Sequence, residues 1–214
     1  MIALFYSFYL LLILASLLAI PALAVGAFVV GLRTAHRKWY LCASLAITLA
    51  MVFMWRQFEQ RHALSVVPDG LHVTSMSYAA EESWGFGPGG NETGIRVYPL
   101  SAQVARAVGE DGLAYFASMP PNRGRDSRAW EGVYSSWHAT PIGSSASEGA
   151  DAQGSPISLE AYHDQYGFSI QVDPVVSAQV NRIIQSPGSF YARGRIGILV
   201  VSPKDRLVVY MYNG

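Results

Sequence analysis

MIALFYSFYLLLILASLLAIPALAVGAFVVGL, residues 1–32, contains no charged residue, and neither does WYLCASLAITLAMVFMW, residues 39–55. Between them lies the basic stretch Arg33-Thr34-Ala35-His36-Arg37-Lys38. A helix needs about 20 apolar residues to cross a hydrocarbon core of ~30 Å. The first segment exceeds that length, and Pro21 is expected to kink it. The second is shorter, at 17 uncharged residues, but Trp39, Tyr40 and Trp55 at its ends suit an interfacial belt, and Arg56 can snorkel. Residues 1–63 therefore read as a transmembrane hairpin with helices over about 4–32 and 39–57. A cleavable signal peptide is the competing reading: Ala22-Leu23-Ala24 has the small-x-small pattern. The N-terminus lacks a basic residue, however, and the apolar run continues to Leu32.

Charge divides the 214 residues unevenly. Of 15 basic and 15 acidic residues, the first 63 hold five and one, leaving ten and fourteen for residues 64–214. A mildly acidic remainder argues against nucleic acid, whose binding rests on basic patches that neutralise phosphates. Three basic residues lie between the apolar segments and two, Arg56 and Arg61, follow the second. The positive-inside rule then puts the loop in the cytoplasm and both termini outside. The expectation is a multi-pass protein of a bacterial inner membrane with its C-terminal domain in the periplasm. The lone cysteine, Cys42, sits in the second apolar segment. The domain after it can have neither a disulfide framework nor a thiolate zinc site.

From residue 64 onward the pattern reads as α+β. Strands are expected at Leu64–Val67, Leu71–Tyr78, Ile95–Tyr98, Leu113–Ser118 and Trp130–Thr140. Later strands are expected at Ile157–Tyr162 and Gly167–Val172, with a closing hairpin of Ser189–Val201 and Arg206–Tyr212 turning at Ser202–Asp205. Helices are expected at Pro99–Val108, stopped by Gly109, and at Pro174–Gln185. Residues 80–94 read as loop, and the Gly-, Ser- and Ala-rich stretch 141–156 as a flexible linker.

Two stretches of this domain resemble each other. Ile95-Arg96-Val97-Tyr98-Pro99 aligns with Ile170-Gln171-Val172-Asp173-Pro174, and Ser101–Val108 with Ser177–Ile184; eight of the thirteen positions are identical. Tyr115-Phe116-Ala117 then matches Phe190-Tyr191-Ala192. The expected fold is two N-terminal transmembrane helices plus an α+β domain made of two related ββαββ repeats, about 64–140 and 157–214. Each repeat helix carries a short apolar stripe: Val104 and Val108 in the first, Val176, Val180, Ile183 and Ile184 in the second. Arg106 and Arg182 fall outside the stripes and should face solvent.

No catalytic motif survives inspection. Gly85-Phe86-Gly87-Pro88-Gly89-Gly90 matches G-x-G-x-x-G, but a strand follows where a helix is required, and Pro88 removes an amide donor. His36, His62, His72, His138 and His163 show no metal-ligand spacing, and His163-Asp164 falls in a predicted turn. The acidic residues Glu81, Glu82, Glu110, Asp111 and Glu131 show no convergence, and no serine sits in a G-x-S-x-G elbow. No enzyme activity, cofactor or metal is expected. The candidate contact surface is aromatic and basic: Trp84 and Phe86 in one loop, Trp130, Tyr134 and Trp137 on one strand, and Arg123 with Arg125. Such an anchored domain fits a non-catalytic partner of another protein, for example an immunity protein that neutralises a toxin. Two further readings are a cytosol-facing nucleotide sensor and a structural subunit of an envelope assembly. Besides membrane lipid and a protein partner, a second copy of the chain is a possible partner.

Overall fold

The closing hairpin sets the architecture. Gly197–Ser202 (GILVVS) and Leu207–Asn213 (LVVYMYN) are apolar at consecutive positions rather than alternate ones. A strand of that kind is stable only when both faces of its sheet are covered. In the computed structural model both strands are buried along nearly their whole length, and helices lie against both faces. The structure describes residues 19–33, 37–84, 91–120, 122, 132–143, 156–164 and 170–213.

The elements in chain order are α1 (Ala19–Arg33), α2 (Arg37–Ser65), a 3-10 turn (Asp69–Leu71), β1 (Tyr78–Trp84), β2 (Asn91–Pro99), α3 (Ala102–Asp111) and α4 (Leu113–Ala117). There follow β3 (Trp137–Ala139), α5 (Leu159–His163), α6 (Pro174–Gln185), β4 (Phe190–Arg193), β5 (Gly197–Ser202) and β6 (Leu207–Asn213). The chain divides into two compact units, Met1–Glu59 and Gln60–Gly214.

In the first unit, α1 and the body of α2 carry apolar side chains that nothing covers, among them Leu23, Phe28, Leu45, Leu49, Phe53 and Met54. A helix exposing apolar residues on every side is suited to lipid rather than water. Lys38–Ser65 is long and apolar enough to cross a membrane, and none of its most apolar window is buried. The Ser44 hydroxyl donates to the Ala24 carbonyl at 2.9 Å, tying α2 to α1. At the other end of the apolar stretch the Trp55 indole N–H donates to Glu59 at 2.6 Å.

The second unit is a six-stranded antiparallel sheet in the order β1-β2-β6-β5-β4-β3. Alternation along the strands divides the core. Tyr98, Leu199, Val201, Val208, Tyr210 and Tyr212 face α3 and α4; Ile95, Val97, Ile198, Val200, Val209 and Met211 face α5 and α6. Of the predicted helical stripes, Val104 and Val108 on α3 and Val180, Ile183 and Ile184 on α6 are buried, and Val176 is partly buried. Arg106 is exposed, and Arg182 lies at the surface in an ion pair with Asp205 at 2.8 Å. The start of α6 at Pro174 is the expected one, whereas α3 starts at Ala102 and not at Pro99, which pairs as the last residue of β2. The Ser101 hydroxyl caps α3 through the Val104 amide, and the Asp173 carboxylate caps α6 just before Pro174 at the first helical position.

Several expected strands are not strands. Leu64–Val67 begins as the last turn of α2, and Val66 and Val67 then enter the core without pairing. Residues 72–76 are irregular, and pairing starts only at Tyr78. The loop expected at 80–94 is largely a hairpin, with β1 and β2 paired from Tyr78↔Val97 to Trp84↔Asn91. Leu113–Ala117 is helical because Gly112, at φ +57°, ends α3 and lets the chain start a new turn that buries Phe116. Gly109 is thus passed over, and α3 runs on to Asp111. Trp130–Thr140 shortens to β3, with residues 133–136 irregular and Trp130 outside the described residues. Ile157–Tyr162 contains α5 instead of a strand, because Ser158 caps a helical turn through the Ala161 amide at 3.1 Å. Residues 170–173 are irregular and 165–169 lie outside the described residues. The expected linker 141–156 is held at both ends by a Gly143↔Pro156 bridge, with Ile142 buried. Ser189–Val201 divides into β4 and β5, where the Gly194 amide closes a tight turn on the Gly197 carbonyl at 2.7 Å.

The described elements therefore do not run as ββαββ twice. The two aligned stretches agree at their helices, α3 and α6. Around these helices they part: Ile95–Pro99 is strand while 170–173 is irregular, and Tyr115–Ala117 is helix while Phe190–Ala192 is strand.

At Gly197 β5 lies against β6 with no room for a side chain. A Cβ added there would stand 2.3 Å from the Met211 carbonyl oxygen, which is backbone and cannot swing aside. Gly197→Ala should lower unfolding stability by about 1–3 kcal/mol, read as a shifted denaturant midpoint of the purified chain in detergent.

Candidate functional site

Three tyrosine hydroxyls hold the segment that leaves α2. Tyr98 on β2, fully buried, donates to the Ala63 carbonyl at 2.6 Å. Tyr134 donates to the Val66 carbonyl at 2.8 Å, and Tyr115 on α4 to the Gly70 carbonyl at 2.7 Å. The last four carbonyls of a helix lack intrahelical donors, so Tyr98 supplies what the end of α2 is missing. Burial pushes the Tyr98 and Tyr115 phenols above their ordinary pKa of 10.0, so both remain donors at neutral pH. Tyr98→Phe should leave the Ala63 carbonyl buried without this donor and cost about 1–3 kcal/mol. The measurement is denaturant unfolding followed by tryptophan fluorescence.

The predicted contact residues separate. Tyr134 and Trp137 turn toward the core: Trp137 stacks on Phe116 with centroids 3.9 Å apart, and Tyr134 leans on Trp137 at 5.9 Å. Trp84 is the last residue of β1. Phe86, Arg123, Arg125 and Trp130 lie outside the described residues.

The sheet also carries a charged group that spacing does not reveal. Arg96 on β2 bonds Glu81 on β1 at 3.1 Å and lies over the Tyr212 ring, 5.1 Å from its centroid. The Tyr212 hydroxyl donates to the same Glu81 carboxylate. Burial alone would raise the Glu81 pKa, but the hydrogen bonds from Tyr212 and Arg96 outweigh it and hold the carboxyl below its ordinary range. Gly94 leaves room for this arrangement, since a Cβ there would stand 2.4 Å from the Tyr212 ring.

On the other face, α5 and α6 border a cleft of about 790 Å³, lined among others by Leu159, Glu160, His163, Asp164, Ile170 and Ser177. Asn181 organises its wall. Its side-chain oxygen accepts from the Leu159 amide at 2.7 Å, and its NH₂ donates to both Glu160 oxygens at 3.2 and 3.0 Å. The Ser177 hydroxyl donates to the same carboxylate. Burial works against the Glu160 charge; the bonds from Ser177 and Asn181 prevail and keep its pKa below the ordinary value. His163, predicted in a turn, is in fact on α5 and only 3% exposed. Its Nε2 meets the Gly94 carbonyl at 3.2 Å, and because a carbonyl only accepts, the proton of the neutral ring sits on Nε2. Burial lowers its pKa below 6.5, against the opposing influence of the Gly94 carbonyl, Glu160 and Asp164.

Chemically, the cleft offers fixed negative charge beside an apolar wall. No Lys or Arg lines it among the described residues, so it suits a cation better than a phosphate. Among the described residues no three His, Cys, Asp or Glu side chains group to hold a metal ion. Ser177 donates to a carboxylate, which orders Glu160 but brings no imidazole base to the hydroxyl. No protein-family model, curated protein sequence or solved structure matches the chain.

Asn181→Ala removes the side-chain acceptor of the Leu159 amide and two of the bonds to Glu160. It should cost about 1–2 kcal/mol, as for loss of a helix cap. Amide exchange in residues 157–164 should quicken while exchange in β5 and β6 is unchanged.

Proposed function

We propose that the chain is a membrane-anchored, non-catalytic binding protein whose Gln60–Gly214 domain engages a protein partner. The observation that carries this reading is α2. Its middle is uncovered apolar surface of membrane-spanning length, and its last turn, with Val66, Val67 and Leu71, enters the core of the domain. A domain whose core includes the end of such a helix works at a bilayer surface.

On this reading α1 and α2 form a transmembrane hairpin, the basic residues between them stay in the cytoplasm, and the domain lies in the periplasm of a bacterial cell. A toxin-neutralising immunity protein is the concrete version. The α5–α6 cleft then receives a Lys or Arg side chain from the partner, because Glu160 and Asp164 present carboxylates there and no described cation opposes them. The same lining disfavours a nucleotide sensor, since phosphate groups would meet those carboxylates.

Two measurements test the proposal. Compartment-specific reporters fused after Gly214 should be active outside the cytoplasm; activity only inside rejects the immunity version. The Glu160→Lys, Asp164→Lys double variant should retain its fold by circular dichroism yet lose at least tenfold in partner capture, as expected for like charges set against each other.

A further inference from the structure

We propose that His163 is a pH-operated latch that holds α5 on the sheet at neutral pH and releases it on mild acidification, opening the α5–α6 cleft. The inference concerns the cleft's own stability and holds whatever partner occupies it.

The geometry comes first. α5 is a single five-residue turn, far too short to be helical by itself. It stays in place because of what it touches. The Asn213 side chain on β6 donates to the Tyr162 and His163 carbonyls at 2.9 and 3.3 Å. The Tyr162 hydroxyl reaches the Met211 carbonyl at 3.4 Å, and the Leu159 amide is held by Asn181 on α6. His163 is the member of this set whose ordinary pKa lies near neutral pH, and it is pressed into the sheet with its Nε2 on Gly94 of β2.

Protonation adds a proton from solvent at Nδ1 and makes a buried cation. The surrounding charges offer it little. Glu160, on the same helix, has both carboxylate oxygens engaged by α6. Asp164, the residue that ends α5, is the other carboxylate on that element. From α6 the facing groups are the neutral Ser177 and Asn181, while Arg182 pairs with Asp205. From β2 and β6 the ionisable side chains are Glu92, Arg96, Tyr98, Tyr210 and Tyr212; Tyr98, Tyr210 and Tyr212 lie on the α3–α4 face of the sheet, Arg96 and Tyr212 are bound to Glu81 there, and Glu92 falls on the same side as Arg96 by strand alternation. A docked α5 therefore favours the neutral ring, and a released α5 lets the ring hydrate and take its proton.

The sign follows from proton linkage. A histidine whose folded pKa lies below 6.5 binds fewer protons when docked than when released. Docking is at full strength above 6.5 and weakens as pH falls below it. A ring that titrates at its ordinary 6.5 when released and stays neutral when docked shifts the equilibrium by at most about thirtyfold between pH 7.5 and pH 5.0. At pH 5.0 Glu160, held below its ordinary range, still carries its charge. The other described histidines, His62, His72 and His138, are exposed.

Amide hydrogen exchange on the full chain in detergent tests the latch, with rates corrected for intrinsic pH dependence. Residues 157–164 should lose protection by about three- to thirtyfold from pH 7.5 to pH 5.0, while β5 and β6 hold theirs. In His163→Gln, whose amide can still donate to the Gly94 carbonyl, that pH response should vanish. Unchanged protection in the natural chain overturns the proposal, and so does an equal response in the variant. Imidazole resonances of the natural chain, followed by NMR, give a readout that needs no variant. One histidine should titrate below 6.5, and the absence of any such resonance overturns the latch.

Discussion

Burial of β5 and β6 on both faces is the constraint from which the rest of the second unit follows. Six consecutive buried positions in Gly197–Ser202 leave no polar side of the sheet to turn toward water. Two helical layers must then exist, and the chain supplies one from each side of β3: α3 and α4 before it, α5 and α6 after it. The alternation Ile198, Leu199, Val200, Val201 sends successive side chains into the two cores. A shift of one residue in register would exchange those sets between the two layers.

The end of α2 depends on this sheet in turn. Its orphaned carbonyl end meets Tyr98, which belongs to β2 next to the central hairpin. Tyr134 and Tyr115 repeat the device at Val66 and Gly70. Each phenol places its ring in the apolar core and its hydroxyl on a backbone oxygen, so one residue type satisfies both burial and hydrogen bonding. Tyr134, which looks like a surface aromatic in the sequence, is taken up by this task, and Trp137 beside it packs on Phe116. On the opposite helical layer Asn181, Ser177 and Glu160 join α5 to α6.

Legibility follows the range of the interaction. The uncharged run in α2, the closing hairpin with its turn, the bounds of α6 and the stripes of both long helices are all local patterns, and all are present. The short helices are not local in origin. Leu113–Ala117 and Leu159–His163 have apolar residues at spacings that fit a strand equally well, and only the layer beneath them decides. The sequence match between the two halves likewise recovers its helices and loses its strands, because pairing partners are set by the sheet and not by the segment.

What the sequence by itself determined is where apolar surface must be hidden: a long helix uncharged from Trp39 to Trp55, a doubly buried hairpin, and two amphipathic helices. What only the tertiary structure decided is which polar atoms meet. Tyr98 finds Ala63 across 35 residues, Tyr134 finds Val66 across 68, and Tyr212 finds Glu81 across 131. His163 looks like a turn residue beside Asp164 until the sheet places Gly94 against it. Hydrophobic periodicity repeats along the chain and can be read from a short window. A hydrogen bond between distant residues has no period, and it exists only once the backbone has brought donor and acceptor within about 3 Å.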